Sequence, residues 1–447
     1  MTTHPHTIRW TTQHVAALAP DAASLKAGEK LSQAHQWLTL GRAGEILWGE
    51  IKGSGKNPYQ TAIALAEPAF KCSCPSRKFP CKHGLGLALV FAASADALVE
   101  AEPPAWLQEW LDKRGQRAQK QAEKAASAAE PVDEATVQKR AAAQQKRNHA
   151  RDEKVSAGVT ELQRWLFDLI RQGLAHADDT QWQHMAARMV DAQAPGLARR
   201  LQNAGNLRYQ GSAWQEKLLL EMARLHLLLE AWQRRDSLPA AVQADVLAQI
   251  GFNLNKEEVQ ATEGIPDLWQ VVGQRQEDDG QMRTQRTWLY GLHSRRYALL
   301  LDFAVQNQTM ALRPGIGGRI EGLLAYYPSA VPLRALAPVP SAVPVSGEDN
   351  GLLFLPLTDN FSAYGLALAQ CPWLGMFPFA IADVVPVQHE GEWLLVDAHQ
   401  QAIPLRISDA EGWGLLAESG GHPLAVFGEW DGSILHICGT FQAQGGR

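Results

Sequence analysis

Three of the chain's five cysteines lie close together in the stretch KCSCPSRKFPCKH, which runs from residue 71 to 83. Thiolate sulfur and imidazole nitrogen are the donors that tetrahedral zinc prefers in proteins. Cys72 and Cys74 lie two residues apart, so on an extended segment both side chains point to the same face. Cys81 and His83 follow after a six-residue loop with a proline at each end, which turns the chain back. The stretch therefore predicts a zinc site with the ligands Cys72, Cys74, Cys81 and His83.

A zinc ion bound by four protein donors has no open position for water, so the stretch predicts a structural site and not a catalytic one. A disulfide is disfavoured, because Cys72 and Cys74 would close an unfavourably tight ring and because disulfide frameworks favour even cysteine counts. A redox or nucleophilic cysteine would use a CxxC pair or a lone cysteine with a base. An iron–sulfur cluster or another metal is the alternative that stays open.

Strands followed by a helix are predicted around these ligands, over residues 37–92. The segments WLTLGRAGEILWGEIKG and YQTAIALAEPAFKCSC carry short alternating or aromatic-rich runs, and the turn signals GRAG, GSGKNP and AEPA separate them. After His83 the segment GLGLALVFAASADALVEA is apolar nearly all round, which predicts a buried helix over residues 84–101. A small ββα module with the cysteines at its joints is the expected frame.

The spacing CxC, six residues, CxH on a ββα frame resembles the SWIM zinc finger, over residues 37–92. The chain as a whole is similar, less closely, to bacterial SWIM proteins that accompany MoxR-type AAA+ ATPases and von Willebrand A-domain proteins. The resemblance implies that Cys72, Cys74, Cys81 and His83 bind one structural zinc ion. It also implies that the module binds protein, DNA or RNA, with a MoxR-type AAA+ ATPase or a von Willebrand A-domain protein as the expected protein partner.

Charge is distributed unevenly along the chain, although the net charge is only −5. All charges from residue 71 to 82 are positive, and one aromatic ring that could stack on a base lies among them. From Ala335 onwards there are twelve acidic residues and only two basic ones. The basic loop predicts a small nucleic-acid contact, while the acidic C-terminal third favours protein partners. The candidate nucleic-acid residues are Lys71, Arg77, Lys78, Phe79 and Lys82.

A chain of 447 residues is too long for one hydrophobic core, and its patterns divide it into four parts. We expect an N-terminal domain with the finger over residues 1–100, a helical or flexible linker over 101–155, and a helical bundle over 156–255. Strand and turn signals predict a mostly antiparallel β region over 256–447, which the Pro-rich stretch near 335–351 would split. The expected fold class is multidomain α+β.

Three elements of the β region are specific enough to compare with the structure. The runs LWQVVGQRQ and MRTQRTWLYG flank the turn signal EDDGQ and predict a hairpin. The run GLLFLPL, residues 351–357, predicts a strand, and Asp409 to Glu418 predicts a short helix with Gly420 and Gly421 beyond its end. Cys371 and Cys438 lie in apolar stretches and are expected to be buried core thiols.

No segment predicts secretion or membrane insertion. The N-terminal residues lack the basic start and apolar core of a signal sequence, and the most apolar run, residues 85–99, is too short for a bilayer and contains Asp96. We therefore expect a cytoplasmic protein. Neither HExxH nor GxSxG occurs, so we expect no enzyme and interpret the chain as a zinc-binding adaptor. The alternatives are a nucleic-acid-binding protein and an enzyme with a site in the C-terminal β region.

Overall fold

The part of the chain that the computed structural model describes forms three five-stranded sheets and a bundle of helices. The structure describes Trp10, Thr12, Val15, Leu18, Ala19 and residues 22–53, 57–65, 69–76, 78, 80–112, 114–116, 134–174, 178–209, 214–252, 254–278, 282–305, 313–337 and 351–442. The helical region lies between a cysteine-containing N-terminal part and a β-rich C-terminal region. This arrangement confirms the predicted multidomain α+β fold class.

The first sheet carries the cysteine cluster at one edge. Its strands are β1 (Trp37–Ala43), β2 (Ile46–Ile51), β3 (Tyr59–Ala64), β4 (Ala69–Cys72) and β5 (Val99–Glu100), in the order β4-β3-β2-β1-β5. All neighbours are antiparallel except β1 and β5. The helix α2 (Lys82–Ala93) packs on one face and contributes to its core, and the helix α1 (Ala22–Glu29) packs against α2. They pack so closely that a Cβ on Gly28 would lie 2.7 Å from Leu85 Cβ.

The opposite face of this sheet packs against the helical segment at residues 105–112. Leu107 is fully buried there, against Trp48 of β2 and Ala62 of β3. The alternation of side chains along a strand explains why Trp48 faces this segment while Leu47 faces α2. The first sheet therefore packs against residues beyond position 100, within the stretch predicted as a linker.

The predicted helix over residues 84–101 is wrong beyond Ala93. At the helix end Ser94 leaves the helical conformation, with φ −154° and ψ 77°, and its N–H donates to Val90 O. Val99 and Glu100 then form β5 instead, and Arg42 of β1 forms a 2.7 Å ion pair with Glu100. An apolar run does not by itself distinguish a buried helix from a buried strand. The spacing of apolar residues therefore gave no indication that the helix ends at Ala93 and that a strand follows.

Five helices form the bundle: α3 (Glu134–Gln172), α4 (Asp179–Asp191), α5 (Pro195–Leu207), α6 (Trp214–Gln233) and α7 (Ala240–Ile250). Their core contains the apolar residues at helical spacing that predicted the bundle, among them Val159, Leu162, Leu166, Leu218, Met222, Leu225, Leu229 and Trp232. The linker that the sequence left as helical or flexible is helical from Glu134, so the expected boundary at residue 155 lies inside α3. Residues 117–133 of that linker lie outside the described residues.

The second sheet contains β6 (Ile265–Asp278), β7 (Met282–Gly291), β8 (Tyr297–Val305), β9 (Arg319–Tyr326) and β10 (Ala335–Leu336), in the order β10-β9-β6-β7-β8. The short helix α8 (Lys256–Gln260) precedes it. Strands β6 and β7 pair antiparallel, which confirms the predicted hairpin. The stretch near 335–351 that was expected to split the β region lies largely outside the described residues, since these resume at residue 351.

The third sheet contains β11 (Phe377–His389), β12 (Glu392–Val396), β13 (Ala402–Pro404), β14 (Leu424–Trp430) and β15 (Leu435–Gln442), in the order β13-β12-β11-β14-β15. The predicted short helix is confirmed as α10 (Asp409–Ser419), which follows β13. Its N-cap is Ser408, which forms a capping box with Glu411, and Gly420 ends the helix at φ 58°.

The predicted strand at residues 351–357 is wrong. Only one isolated bridge forms there, between Leu355 and Ile381, and the helix α9 (Leu357–Gln370) begins directly afterwards. Pro356 is the N-cap residue of α9, a position at which its missing N–H costs no helical hydrogen bond. A short apolar run before a proline is ambiguous in the sequence, and the pattern missed the helix that follows it.

The second and third sheets share a core around one buried carboxylate. Val272 and Trp288 of the second sheet pack with Phe427 and Cys438 of the third. The side chain of Glu429 in β14 is 0% exposed. Its carboxylate accepts hydrogen bonds from Arg275, Arg286 and Trp288 Nε1 of the second sheet, and the Trp288 bond is 2.7 Å long. Charged hydrogen bonds to Glu429 therefore connect the second and third sheets within the core that they share.

Two further predictions concern burial and membranes. Cys371 and Cys438 are both buried, as expected for core thiols. Among the helices that the structure describes, none combines the length and the apolar character needed to cross a bilayer.

Candidate metal centre

The four predicted ligands come from the edge strand of the first sheet and from the start of α2. Cys72 is the last residue of β4, and Cys74 follows two residues later. Cys81 is the N-cap residue of α2, and His83 lies in the first turn of that helix. Strand β4 is held in register by β3, where Thr61 pairs with Cys72. The loop between Cys74 and Cys81 thus returns the chain to the two sulfurs already placed by the strand.

The donor atoms of these four residues converge on one point. Each side chain offers one donor atom, and all four atoms lie within 4.8 Å of one another. His83 Nδ1 lies 3.7 Å from Cys72 Sγ and 3.9 Å from Cys81 Sγ. A tetrahedral ion with Zn–S bonds of about 2.3 Å and a Zn–N bond of about 2.0 Å separates its donors by roughly 3.5 to 3.8 Å. The four side chains are therefore positioned to bind one zinc ion.

The electrostatics of the cluster favour a cation. A hydrogen bond from Cys72 lowers the pKa of the Cys81 thiol to about 4, although burial opposes this effect. The same hydrogen bond, together with burial, raises the pKa of Cys72, and burial raises the pKa of Cys74. Three thiols in one small space can all ionise only with a positive charge between them, which is what a zinc ion would supply.

Backbone N–H groups also point at the sulfurs. The N–H groups of Cys74, Ser76 and Gly84 hydrogen-bond to Cys72, Cys74 and Cys81 respectively, and each bond stabilises the thiolate. Such bonds orient sulfur ligands and spread their negative charge. With four protein donors a tetrahedral ion keeps no position for water. A zinc ion here would therefore have a structural role and would link the end of β4 to the start of α2.

Two further residues contact the ligands and were not identified from the sequence. Thr61 is fully buried, with its Oγ1 3.2 Å from Cys72 Sγ. The ring of Tyr59 lies 4.9 Å from the ring of His83. The missing signal is the register of β3 against β4, which sets Thr61 opposite Cys72. No spacing rule within the cysteine motif could reveal that register.

Replacing Thr61 by valine is expected to weaken zinc binding by about 10-fold or more, the range found for groups that hold metal ligands in place. The shape of the side chain is kept, but the Thr61 hydroxyl can no longer donate to the Cys72 thiolate. Competition with a chromogenic chelator measures the change in affinity. Thr39→Val is the matched control, since Thr39 is exposed on β1. Equal affinity of both variants and the parent would contradict a role for Thr61.

Three of the five candidate nucleic-acid residues lie in the described part of the chain. Lys71 Nζ donates to Trp106 O at 3.0 Å and lies over the Trp106 ring, so it ties β4 to the segment at residues 105–112. Lys78 and Lys82 are exposed. Arg77 and Phe79 lie outside the described residues.

Comparisons with known families agree with this geometry. Residues 71–91 match the family model of the SWIM zinc finger, a range that contains all four ligands. Residues 150–250 match the model of the SWIM-associated four-helix bundle domain, and they cover α4 to α7 and the C-terminal part of α3. Searches of curated proteins and of solved structures return no match. The chain therefore carries a SWIM zinc finger followed by a SWIM-associated four-helix bundle domain.

Proposed function

We propose that the protein is a non-enzymatic adaptor, whose zinc ion stabilises the N-terminal domain and whose bundle binds a protein partner. The closed set of four donors supports the structural role of the metal, because no position is left for a substrate. An apolar surface on the bundle supports the binding role, and it is the observation on which the proposal rests.

That surface, here called the leucine face, consists of Phe167, Ile170, Leu219, Leu220 and Leu227. The three leucines on α6 are 57%, 53% and 49% exposed. At 100° per residue, positions 219, 220 and 227 fall within about 100° of one another on the helix. Phe167 of α3 contacts His226 with 5.6 Å between ring centroids, which brings the two helices together at this surface. Exposed apolar side chains that share one helix face, as these three leucines do, are typical of interaction sites.

Protein binding has more support than nucleic-acid binding. The leucine face offers no charge to phosphate, and Lys71 is engaged with Trp106. The chain is acidic overall, with a net charge of −5, which repels a polyanion. As partner we propose a MoxR-type AAA+ ATPase or a von Willebrand A-domain protein, as the resemblance to bacterial SWIM proteins implies.

The contacts of two buried carboxylates in the C-terminal β region argue against a catalytic site there. Glu429 is enclosed by two arginines and an indole N–H. Asp267 accepts hydrogen bonds from the backbone N–H groups of Leu268, His293 and Ser294. A carboxylate that is saturated by protein donors is poorly placed to take a proton from a substrate. Both groups therefore fit a structural role.

The double substitution Leu220→Glu with Leu227→Glu is expected to reduce recovery of the partner at least about tenfold, because two charges in an apolar contact cost several kcal/mol. The measurement is a pulldown of the tagged full-length chain from its native host, with both proposed partners quantified by mass spectrometry. Both leucines are about half exposed, so we expect the variant to fold. Leu366→Glu is the matched control, since Leu366 is 69% exposed on α9.

Recovery of neither partner by the parent chain would overturn the protein-binding proposal, as would equal recovery by parent and double variant. A nuclease-treated sample tests the alternative that the chain binds nucleic acid and recovers proteins only through it. Nucleic-acid binding would be the main role if two results are obtained together. The protein partners are no longer recovered after nuclease treatment, and the amount of nucleic acid recovered falls as the salt concentration rises.

A further inference from the structure

A cleft of about 370 Å³ lies where the helical bundle meets the third sheet. Its bundle wall comes from α5, α6 and α7, and its other wall comes from Trp373, Leu374, Gly375 and Asp431. Pockets that bind small molecules usually have volumes of about 300 to 1,000 Å³ and often lie between domains. Neither the zinc site nor the leucine face shares a residue with this cleft.

One hydrogen bond crosses the junction at the cleft, and two further contacts brace the bundle wall from within. Trp373 Nε1 donates to Arg224 O at 3.0 Å, and Trp373 is almost completely buried in the bundle core. Arg200 Nη2 donates to Gln249 Oε1 at 2.7 Å, and Arg200 Nη1 lies 2.6 Å from Glu221 Oε1. These contacts fix the cleft before any ligand arrives, so a ligand pays little to order it.

Three arginines and two carboxylates line the cleft, and the carboxylates already have partners. Glu221 is paired with Arg200. Asp431 accepts hydrogen bonds of 2.8 Å from the Ser433 N–H, the Ser433 hydroxyl and the Ile434 N–H, all within its own turn. Among the described residues neither Arg199 nor Arg224 forms an ion pair with a carboxylate.

The two arginines without ion pairs differ in how they are held. Arg224 is half-buried and lies beside Tyr364, where burial raises the pKa of the phenol and the guanidinium charge of Arg224 opposes that rise. Arg199 is exposed on α5, one residue before the anchored Arg200. Guanidinium groups bind phosphate and carboxylate oxygens in a bidentate way, and a cleft wall of low dielectric strengthens that attraction. Leu207, Leu374 and Trp373 add apolar surface beside these charges.

We propose that this cleft binds a small organic anion, with its phosphate or carboxylate group on Arg199 and Arg224 and its apolar part against Leu207 and Leu374. This proposal goes beyond the adaptor function, because it places a small-molecule binding site at the junction between the bundle and the third sheet. A bound anion would contact both walls and thereby stabilise the junction by mass action.

Three probes with the same aromatic ring test the proposal: phenyl phosphate, benzoate and phenol. Titration of the full-length chain at constant ionic strength, followed by NMR or calorimetry, is expected to give dissociation constants of about 1 mM for at least one anion. Phenol should bind at least about tenfold more weakly. If phenyl phosphate binds and benzoate does not, the natural ligand carries a phosphate; the reverse result indicates a carboxylate.

Arg199→Gln should weaken binding of the anion about tenfold, and because Arg199 is exposed the variant should keep the parent's melting temperature. Arg164→Gln is the matched control, since Arg164 is exposed on α3, which contributes no residue to the cleft. The proposal is overturned if neither anion binds better than phenol, or if Arg199→Gln and Arg164→Gln bind the anion equally well. Failure here leaves the adaptor function standing, because the leucine face is tested by its own variant.

Discussion

Replacing both Cys72 and Cys74 by serine is expected to abolish stoichiometric zinc binding and to unfold the N-terminal domain. The two sulfurs are half of the donor set, and two donors cannot hold a structural zinc ion against water and competing ligands. Zinc contributes on the order of 10 kcal/mol to the folding of small metal modules. The metal joins β4 to α2, and α2 forms much of the domain's core, so its loss should propagate through the first sheet.

Elemental analysis of the purified variant measures the zinc content, and limited proteolysis measures the loss of structure. We expect cleavage within residues 22–116 while α4 to α7 remain protected, because the bundle has its own core. Cys371→Ser is the matched control, since Cys371 is a buried thiol outside the cluster, and it should keep one zinc ion per chain. Full zinc retention by the double variant would refute the ligand assignment.

Replacing Glu429 by glutamine should lower the free energy of unfolding of the C-terminal β region by about 3 to 5 kcal/mol, the cost of removing one partner from a buried ion pair. The amide is nearly isosteric, so packing is retained. However, it removes the carboxylate partner of Arg286 and leaves Arg275 with only the exposed carboxylate of Glu277. Chemical denaturation followed by tryptophan fluorescence measures the loss, because Trp288 reports from the same contact.

Glu277→Gln is the control for this prediction, because Glu277 pairs with the same Arg275 but is 49% exposed. An exposed ion pair contributes about 0 to 1 kcal/mol, so the control should change stability little. Equal effects of the two substitutions would show that the Glu429 carboxylate adds nothing as a buried charge.

The same carboxylate predicts a pH dependence of stability. Burial by itself raises the pKa of Glu429, but Arg286, the Trp288 N–H and Arg275 outweigh burial and lower the pKa below its ordinary value of 4.5. The unfolded chain therefore binds this proton at a higher pH than the folded chain does. The stabilisation is fully present above pH 4.5 and declines as the pH falls through the lower pKa of the folded state. The Glu429→Gln variant should lose stability less steeply than the parent in this range.

The metal site was the most predictable part of the molecule, because its ligands are close in sequence and their spacing follows from tetrahedral geometry. The helices of the bundle were predictable for a related reason, since positions such as Leu162 and Leu166 repeat at the helical period and are buried. In each case the informative residues lie within one or two turns of the chain. Local patterns therefore sufficed for the zinc ligands and for the bundle.

Contacts between distant segments could not be predicted in this way. Glu429 lies 154 residues from Arg275 and 143 from Arg286, and nothing around Glu429 in the sequence distinguishes it from an exposed acid. The same holds for Thr61, whose role depends on the register of β3 against β4. It also holds for β5, which lies in the same apolar run of the sequence as the helix before it. These features are set by tertiary pairing, which overrides local propensity.

The length of α3 has a consequence for how a partner can engage the protein. From Glu134 to Phe167 the helix extends about 50 Å at about 1.5 Å per residue, while α6 has 20 residues and spans only about 30 Å. Phe167 of the leucine face thus lies about 50 Å along α3 from the point where the chain enters the helix. A partner bound at the leucine face would reach the start of α3 only if it were large enough to cover this distance.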